Sequence, residues 1–146
     1  QELVRRFWEA TCRGGYATHG ETYIHPEEIL WWSHGGELHG ESPARLKFLY
    51  QILRDVPGHG LKPYRLNSDS VTAVPESTAH HGTYYLDYQG FNRASFRNYH
   101  FDDEHEYQVD VIDTWNMTIT DAGIHQGKFT VKLPGREYMA VRIRKV

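Results

Sequence analysis

The hydrophobic residues of this chain change their spacing near residue 62, from a helical repeat to alternation along the chain. Successive side chains of a β-strand point to opposite faces, so alternating apolar residues indicate a half-buried strand. The stretch EYQVDVIDTWNMTIT predicts one such strand, whose apolar face would carry Tyr107, Val109, Val111, Trp115, Met117 and Ile119.

Four further segments of this half have the composition of short strands: TYYLDYQG, ASFRNYHF, KFTVKLP and YMAVRIRKV. Gly, Asn and Asp residues separate them, and we predict hairpin corners at residues 121–123 and 134–136. Short strands at close spacing without a helix are typical of an antiparallel sandwich or a small barrel. We therefore expect residues 62–146 to form such a β domain.

Two amphipathic helices are predicted before this point. In ELVRRFWEATC, one row of apolar residues at four-residue spacing is Val4, Trp8 and Cys12, beside a second row of Leu3, Phe7 and Thr11. Gly14 and Gly15 would end this helix, which we place at residues 2–13. The second helix is predicted at residues 43–55, with Ser42 as N-cap and Pro43 at its first position. Its buried face would consist of Leu46, Leu49, Ile52, Leu53 and Val56, and Pro57-Gly58 would stop it.

The segment YATHGETY between the two helices is short, β-prone and flanked by glycines, so it predicts one strand. A single strand needs a sheet, and residues 1–58 offer no second strand to pair with it. The chain also begins directly inside a helical pattern. We therefore expect it to be part of a longer protein.

Composition excludes several classes of function. With 39% hydrophobic residues the chain can form a packed core, and its net charge of −3 argues against a nucleic-acid-binding protein. No apolar run reaches the roughly 20 residues of a membrane helix, so no membrane partner is expected. The single cysteine, Cys12, cannot form an internal disulfide and fits a reducing compartment, so we predict a cytoplasmic location.

Titratable and aromatic side chains are concentrated between residues 14 and 42. In a strand, His19 and Glu21 would point to the same face and could together bind the hydroxyls of a sugar. An equally good interpretation is that both are exposed residues at the end of a strand, satisfied by their neighbours. Trp31 and Trp32 precede the polar, glycine-rich loop SHGGELHGES, where an indole can stack on a sugar ring. One of the two could instead pack in the core.

Metal binding is the weaker interpretation of this region. The candidate ligands are His19, Glu21, His25, His34 and His39, but their spacing matches no compact zinc motif. We predict neither a metal nor a cofactor. In the β half, Asp113, Trp115 and Asn116 could form a corner or a small surface groove, although a tryptophan on a strand is more often part of the core.

Long segments of the chain resemble a known family. The segments RRFWEATCRGGYATHGETY, ILWWSHGGELHGESPARLKFL, DVIDTWNMTI and LPGREYMAVRIRKV are similar to the C-terminal end of bacterial glycoside hydrolase-like proteins. These multidomain proteins have an N-terminal β-sandwich, a (β/α)8 barrel and a small C-terminal β domain of unknown function.

The resemblance implies an α+β fold: two helices and a strand from the end of a (β/α)8 barrel, followed by an antiparallel β-sandwich. Residues 1–58 would be the barrel segment and residues 62–146 the accessory domain. Barrel enzymes carry their sites at the C-terminal ends of strands. The substrate-binding residues would then be His19, Glu21, Trp31, Trp32 and His34.

The resemblance also implies that no catalytic residue lies in this chain. Glycosidases use a pair of carboxylates, and here both would come from the barrel upstream of Gln1. The parent protein would be a glycosidase with a carbohydrate substrate, and this chain alone would be inactive. The alternative is a non-catalytic carbohydrate-binding or interaction module, with the two tryptophans as its platform.

Overall fold

The computed structural model describes residues 1–18 and 40–146 of the chain. In these residues two α-helices precede eight β-strands. The helices are α1 (Glu2–Cys12) and α2 (Ser42–Arg54). The strands are β1 (Leu61–Tyr64), β2 (Val71–Pro75), β3 (Tyr84–Tyr88), β4 (Phe96–His100), β5 (Glu106–Asp113), β6 (Thr118–Gln126), β7 (Lys128–Lys132) and β8 (Met139–Lys145).

Helix α1 forms and ends as its sequence predicts. Its buried residues recur every four positions: Val4, Trp8 and Cys12. Gly14 has a φ of 74°, a left-handed conformation that favours glycine. Its N–H donates to the carbonyl of Thr11, and the N–H of Gly15 donates to that of Ala10. This pair of bonds is a Schellman motif, which satisfies the last carbonyls of the helix.

Helix α2 buries the face that the sequence predicts, with one change at its start. Leu49, Ile52 and Val56 are buried, whereas Leu46 and Leu53 are half-buried. The N-cap is Glu41 rather than Ser42, and no side chain caps the helix. Neither described helix has the length and apolar character that a membrane-spanning helix requires.

The strands form two antiparallel sheets. Six of them pair in the order β1-β2-β3-β8-β5-β6, and β4 pairs with β7 in a second sheet. The helices cover one face of the large sheet, and the small sheet covers the other. This arrangement confirms the predicted combination of two helices with a sandwich-like set of antiparallel strands.

Two apolar clusters fill the spaces between these three layers. Between the helices and the large sheet, Trp8 stacks on Tyr88 with ring centroids 5.5 Å apart, and Ile52 packs in the same cluster. Between the two sheets, Tyr85 and Phe101 pack with ring centroids 4.9 Å apart. The helices thus share a core with the β domain. The division of the chain into residues 1–58 and 62–146 stays a prediction.

A buried ionic cluster fixes the end of α2 to the large sheet. Arg142 on β8 donates through Nε to Asp110 on β5 at 2.9 Å, and through Nη1 to Asp55 at 2.8 Å. Asp55 caps the C-terminus of α2. Arg144 donates a further hydrogen bond to Asp110 at 2.9 Å. With hydrogen bonds from two guanidinium groups, Asp110 is a paired buried charge, which is the condition under which burial of a carboxylate is tolerated.

The prediction of one continuous strand from Glu106 to residue 120 is wrong. The chain turns between β5 and β6, and these two strands pair with each other, with Ile112 opposite Ile119. The apolar residues predicted for one face are therefore divided between the two faces of the hairpin. The alternation failed because Asp113 supplies a turn, as described below.

Both predicted hairpin corners are also wrong. Residues 121–123 lie inside β6, where the pairing with β5 shifts between Gln108 and Asp110, and Gly123 takes a φ of 89°. The glycine thus serves a β-bulge, which inserts extra residues into one strand. Residues 134–136 do not join paired strands, because β7 belongs to the small sheet and β8 to the large one.

Candidate functional site

The substrate-binding residues predicted from the sequence lie outside the described residues. They are His19, Glu21, Trp31, Trp32 and His34, and all five fall within residues 19–39. The predicted strand YATHGETY lies outside them as well, except for its first three residues. The sugar-binding roles of these side chains therefore stay predictions.

A cavity of about 500 Å³ lies between α1, α2 and β1. Most of its lining is apolar and comes from both helices, including Phe7, Leu46, Leu49, Leu53 and Leu61. Two of the lining tyrosines, Tyr16 and Tyr50, are exposed. Cavities of this size that combine apolar walls with a few polar groups are typical of ligand-binding sites.

Two polar groups of this cavity come from the segment after α2 and from the residue that follows β2. His59 and Glu76 both line it, and Glu76 lies close to Gly60 at the start of β1. A Cβ atom added at Gly60 would lie 2.6 Å from Oε2 of Glu76, so a larger residue there would require the carboxylate to move. The cavity can therefore hold an apolar or aromatic group and offer a carboxylate and an imidazole to hydroxyl groups.

The turn between β5 and β6 forms the corner that the sequence suggested. One carboxylate oxygen of Asp113 accepts the N–H groups of Trp115 and Asn116 at 3.1 and 2.8 Å. The other accepts the side-chain amide of Asn116 at 2.9 Å and is ion-paired with Arg136. Asp113 is almost fully buried, so these partners compensate its charge. Trp115 is half-buried and packs beside the core rather than within it.

Asp87, on β3, is a fully buried carboxylate that the sequence did not identify. It accepts hydrogen bonds from the hydroxyls of Thr72 at 3.0 Å and Tyr99 at 2.8 Å. The side-chain amides of Gln89 and Asn67 donate to it at 3.1 and 3.2 Å. Four donors surround this carboxylate, so Asp87 has a structural role.

Burial raises the pKa of the Tyr99 hydroxyl, and the negative charge of Asp87 beside it adds to the effect. On β4, Arg97 extends the network by donating to Gln89 at 2.5 Å and to Asp69 at 2.8 Å. The tyrosine hydroxyl therefore stays protonated as a permanent donor to Asp87.

The described residues contain no group of three or more His, Cys, Asp or Glu side chains that could hold a metal ion. Their buried carboxylates, at positions 87, 110 and 113, each serve an ionic or hydrogen-bonded network of the fold.

Solved structures similar to this chain include glycoside hydrolases. One is a "putative glycoside hydrolase" from Bacteroides vulgatus, with 28% sequence identity and a TM-score of 0.81. The match covers 100% of this chain and 32% of that one. A second, described as a glycoside hydrolase, has 12% identity and a TM-score of 0.70, over 97% of this chain and 36% of the other, and shows the fold alone. The chain thus spans about a third of the length of the structures it matches.

Comparison by sequence identifies a family for part of the chain. No curated protein matches the chain. A family model described as "Domain of unknown function (DUF5605)" matches residues 72–144. This range begins in β2 and ends in β8. It therefore covers every strand of both sheets except β1, and lacks only the first residue of β2 and the last residue of β8. The matched range makes up half of the 146-residue sequence, and the chain therefore belongs to the DUF5605 family.

Proposed function

We propose that this chain is the C-terminal part of a bacterial glycoside hydrolase, in which it supplies one wall of the sugar pocket and an accessory β domain. One observation carries the proposal: the whole chain matches a structure described as a putative glycoside hydrolase, yet it spans 32% of that chain. The remaining two thirds of such a protein have room for the barrel and for the catalytic carboxylates.

The described helices support a barrel origin for residues 1–58. In a (β/α)8 barrel each strand is followed by a helix, and the helices form a ring outside the strands. Here α1 and α2 flank the predicted strand in sequence and contact each other in space. The apolar cavity between them is lined from both helices. In the proposal, α1 follows the seventh barrel strand and α2 follows the eighth.

The proposed pocket wall consists of His19, Glu21, Trp31, Trp32 and His34. At the C-terminal end of the eighth strand, the imidazole and the carboxylate would bind sugar hydroxyls. The two indoles would stack on the apolar face of the sugar ring. The catalytic pair of carboxylates would come from the barrel upstream. The cytoplasmic location, suggested by the single buried thiol of Cys12, is part of the same proposal.

The proposal is tested by comparing this chain with the full-length natural protein on a panel of aryl glycosides. We expect hydrolysis by the full-length protein and none by the chain alone. In the full-length protein, Trp31→Ala or Trp32→Ala should weaken substrate affinity by roughly ten- to a hundred-fold, the loss expected for an aromatic ring stacked on a planar group.

Trp8 provides the matched control, because it is fully buried between α1 and the large sheet. Its replacement by alanine should lower the free energy of unfolding by about 3–5 kcal/mol and leave the affinity per folded molecule unchanged. If the Trp31 and Trp32 variants behave like the Trp8 variant, these residues belong to the core and the pocket is wrongly placed. Glycan binding by the isolated chain that depends on Trp31 and Trp32 would instead favour a non-catalytic carbohydrate-binding module.

A further inference from the structure

The large sheet has two edge strands, β1 and β6, which differ in length and composition. β1 has four residues, one of which is Pro63. A short edge strand with a proline is a common way in which proteins prevent another chain from pairing with a sheet. β6 has nine residues and no proline, and no described strand pairs with its outer side. A long edge strand of this kind is a template for a further strand.

Two exposed isoleucines of β6 share one face of the sheet. Ile119 is 45% exposed and Ile124 is 55% exposed. On a regular strand, residues five positions apart point to opposite faces. Here Ile119 lies opposite Ile112, and Ile124 lies opposite Gln108, four positions away on β5. The β-bulge within β6 therefore brings both isoleucines to the face on which Ile112 packs against the helices.

The backbone groups of both isoleucines point away from β5. Successive residues of an antiparallel strand form their hydrogen bonds alternately to the neighbour on one side and to the neighbour on the other. The carbonyl of Glu106 on β5 accepts the N–H of Val146, on the side of β8, and a bond to the same side is present at the other end of β5. Even-numbered residues of β5 thus bond to β8, and odd-numbered residues bond to β6. Ile119 and Ile124 lie opposite even-numbered residues, so their N–H and C=O groups are directed to the open edge.

The β6 edge is complementary to itself. When two copies of a strand pair about a twofold axis, a contact of residue i with residue j is repeated as a contact of j with i. One antiparallel register places Ile119 opposite Ile124 of the second copy and repeats this pair symmetrically. Because both residues direct their backbone groups outward, each pair would exchange two main-chain hydrogen bonds.

The charges of β6 permit the same register. Asp121 would lie opposite Ala122 of the second copy, so the two carboxylates are not directly opposed, which would be destabilising. The isoleucine side chains would meet on one face, as apolar cross-strand pairs that stabilise a sheet. We propose that this chain forms a symmetric dimer in which β6 pairs antiparallel with β6 of a second copy.

The proposal is tested by analytical ultracentrifugation of the 146-residue chain and of the full-length natural protein, at micromolar to sub-millimolar concentrations. We expect a reversible equilibrium between monomer and dimer in both. A chain that stays monomeric would overturn the proposal. A dimeric chain beside a monomeric full-length protein would overturn it as well, because the upstream part of the protein would then cover this edge. Association is measured without a substrate, so the result does not depend on glycosidase activity.

Hydrogen exchange identifies the strand that pairs. In a concentrated sample the amides of Ile119 and Ile124 should exchange about tenfold more slowly than in a dilute one, since they are bonded only in the dimer. The amide of Thr120, which lies opposite an odd-numbered residue of β5, should be protected in both samples. Exchange of the two isoleucine amides at the same rate in both samples would contradict the proposed pairing.

Substitutions of equal charge separate this edge from other exposed apolar residues. Ile119→Lys should weaken dimerisation by about tenfold or more, because a symmetric dimer loses both isoleucine pairs. Phe96→Lys is the control, since Phe96 is 54% exposed and belongs to the small sheet. Both side chains are exposed, so both variants are expected to fold, and thermal unfolding curves check this. Equal weakening by the two substitutions would count against the β6 interface.

Paired variants test the register. With lysine at both positions, Ile119→Lys and Ile124→Lys, like charges would lie opposite each other and the chain should be monomeric. The same should hold for Ile119→Glu with Ile124→Glu. A mixture of the two double variants should form a heterodimer, because each lysine then lies opposite a glutamate. A mixture that does not associate would overturn the proposed register.

Discussion

The guanidinium carbon of Arg45 lies 3.7 Å from the centre of the Trp115 ring. The Nε of Arg45 also donates to the backbone carbonyl of Trp115 at 2.9 Å. Seventy positions separate the two residues in sequence. A second nitrogen of Arg45 donates to the carbonyl of Glu41 at the start of α2. One side chain thus joins the first turn of α2 to the turn between β5 and β6.

This contact predicts that lysine cannot replace Arg45. Lysine lacks the planar group that stacks on the ring and the fixed pair of donors that reach both carbonyls. We expect Arg45→Lys to lower the free energy of unfolding by about 1–2 kcal/mol, as measured by urea unfolding. Arg54→Lys, at the exposed end of the same helix, is the control and should have no measurable effect. Equal effects of the two substitutions would contradict the assigned role.

Two buried tyrosines should respond in opposite ways to loss of their hydroxyls. Tyr99→Phe removes a donor from the buried carboxylate of Asp87 and should cost about 1–3 kcal/mol of stability. The hydroxyl of Tyr84 is buried and has no hydrogen-bond partner among the described residues. Tyr84→Phe should therefore be neutral or stabilising. Urea unfolding of both variants at neutral pH provides the comparison, and a large loss in Tyr84→Phe would reveal a partner for that hydroxyl.

The buried tyrosines also predict a loss of stability in alkali. Burial raises the pKa of Tyr84, Tyr88 and Tyr99 above the ordinary value of about 10. Above that pH the unfolded chain releases these protons while the folded chain keeps them, so stability falls as pH rises. Below pH 10, roughly, the contribution is fully present.

This expectation is measured by unfolding at a series of pH values from about 8 upward, together with the ultraviolet absorbance of tyrosinate. Tyr84→Phe removes one of the three groups and should make the decline with pH less steep. A decline of the same steepness in this variant would show that Tyr84 ionises as readily in the folded chain as in the unfolded one.

Cys12 should be inert in the folded protein. It is 0% exposed, and burial raises the pKa of its thiol, so neither access nor ionisation favours its reaction. We expect a disulfide reagent such as DTNB to label it only as fast as the chain unfolds, and to label it at once in guanidinium chloride. Rapid stoichiometric labelling of the folded chain would mean that α1 separates readily from the sheet.

Local rules were sufficient to predict both helices. The fourfold spacing of Val4, Trp8 and Cys12 and the two glycines after them determine where α1 lies and how it ends. The β-prone composition of TYYLDYQG, ASFRNYHF, KFTVKLP and YMAVRIRKV, with the turn residues between them, likewise identified β3, β4, β7 and β8. These signals are contained within a few consecutive residues.

The errors occurred where a side chain competes with the backbone pattern. Asp113 accepts the N–H groups of the next residues and turns the chain, although the apolar alternation continues through Trp115 and Met117. The cavity between α1, α2 and β1 could not be predicted for another reason. Phe7, Leu49 and Glu76 lie far apart in sequence, and only the folded arrangement brings them to one site.

The shared core between the helices and the large sheet has a consequence for how this domain can be inherited. The family model begins at residue 72, within β2. A gene segment limited to that range would encode a sheet whose Tyr84, Leu86 and Tyr88 lie on a face with nothing to cover it. We expect such a product to expose this apolar face and to aggregate. The unit that folds on its own is therefore expected to be longer than the range that the family model covers, and to include α1 and α2.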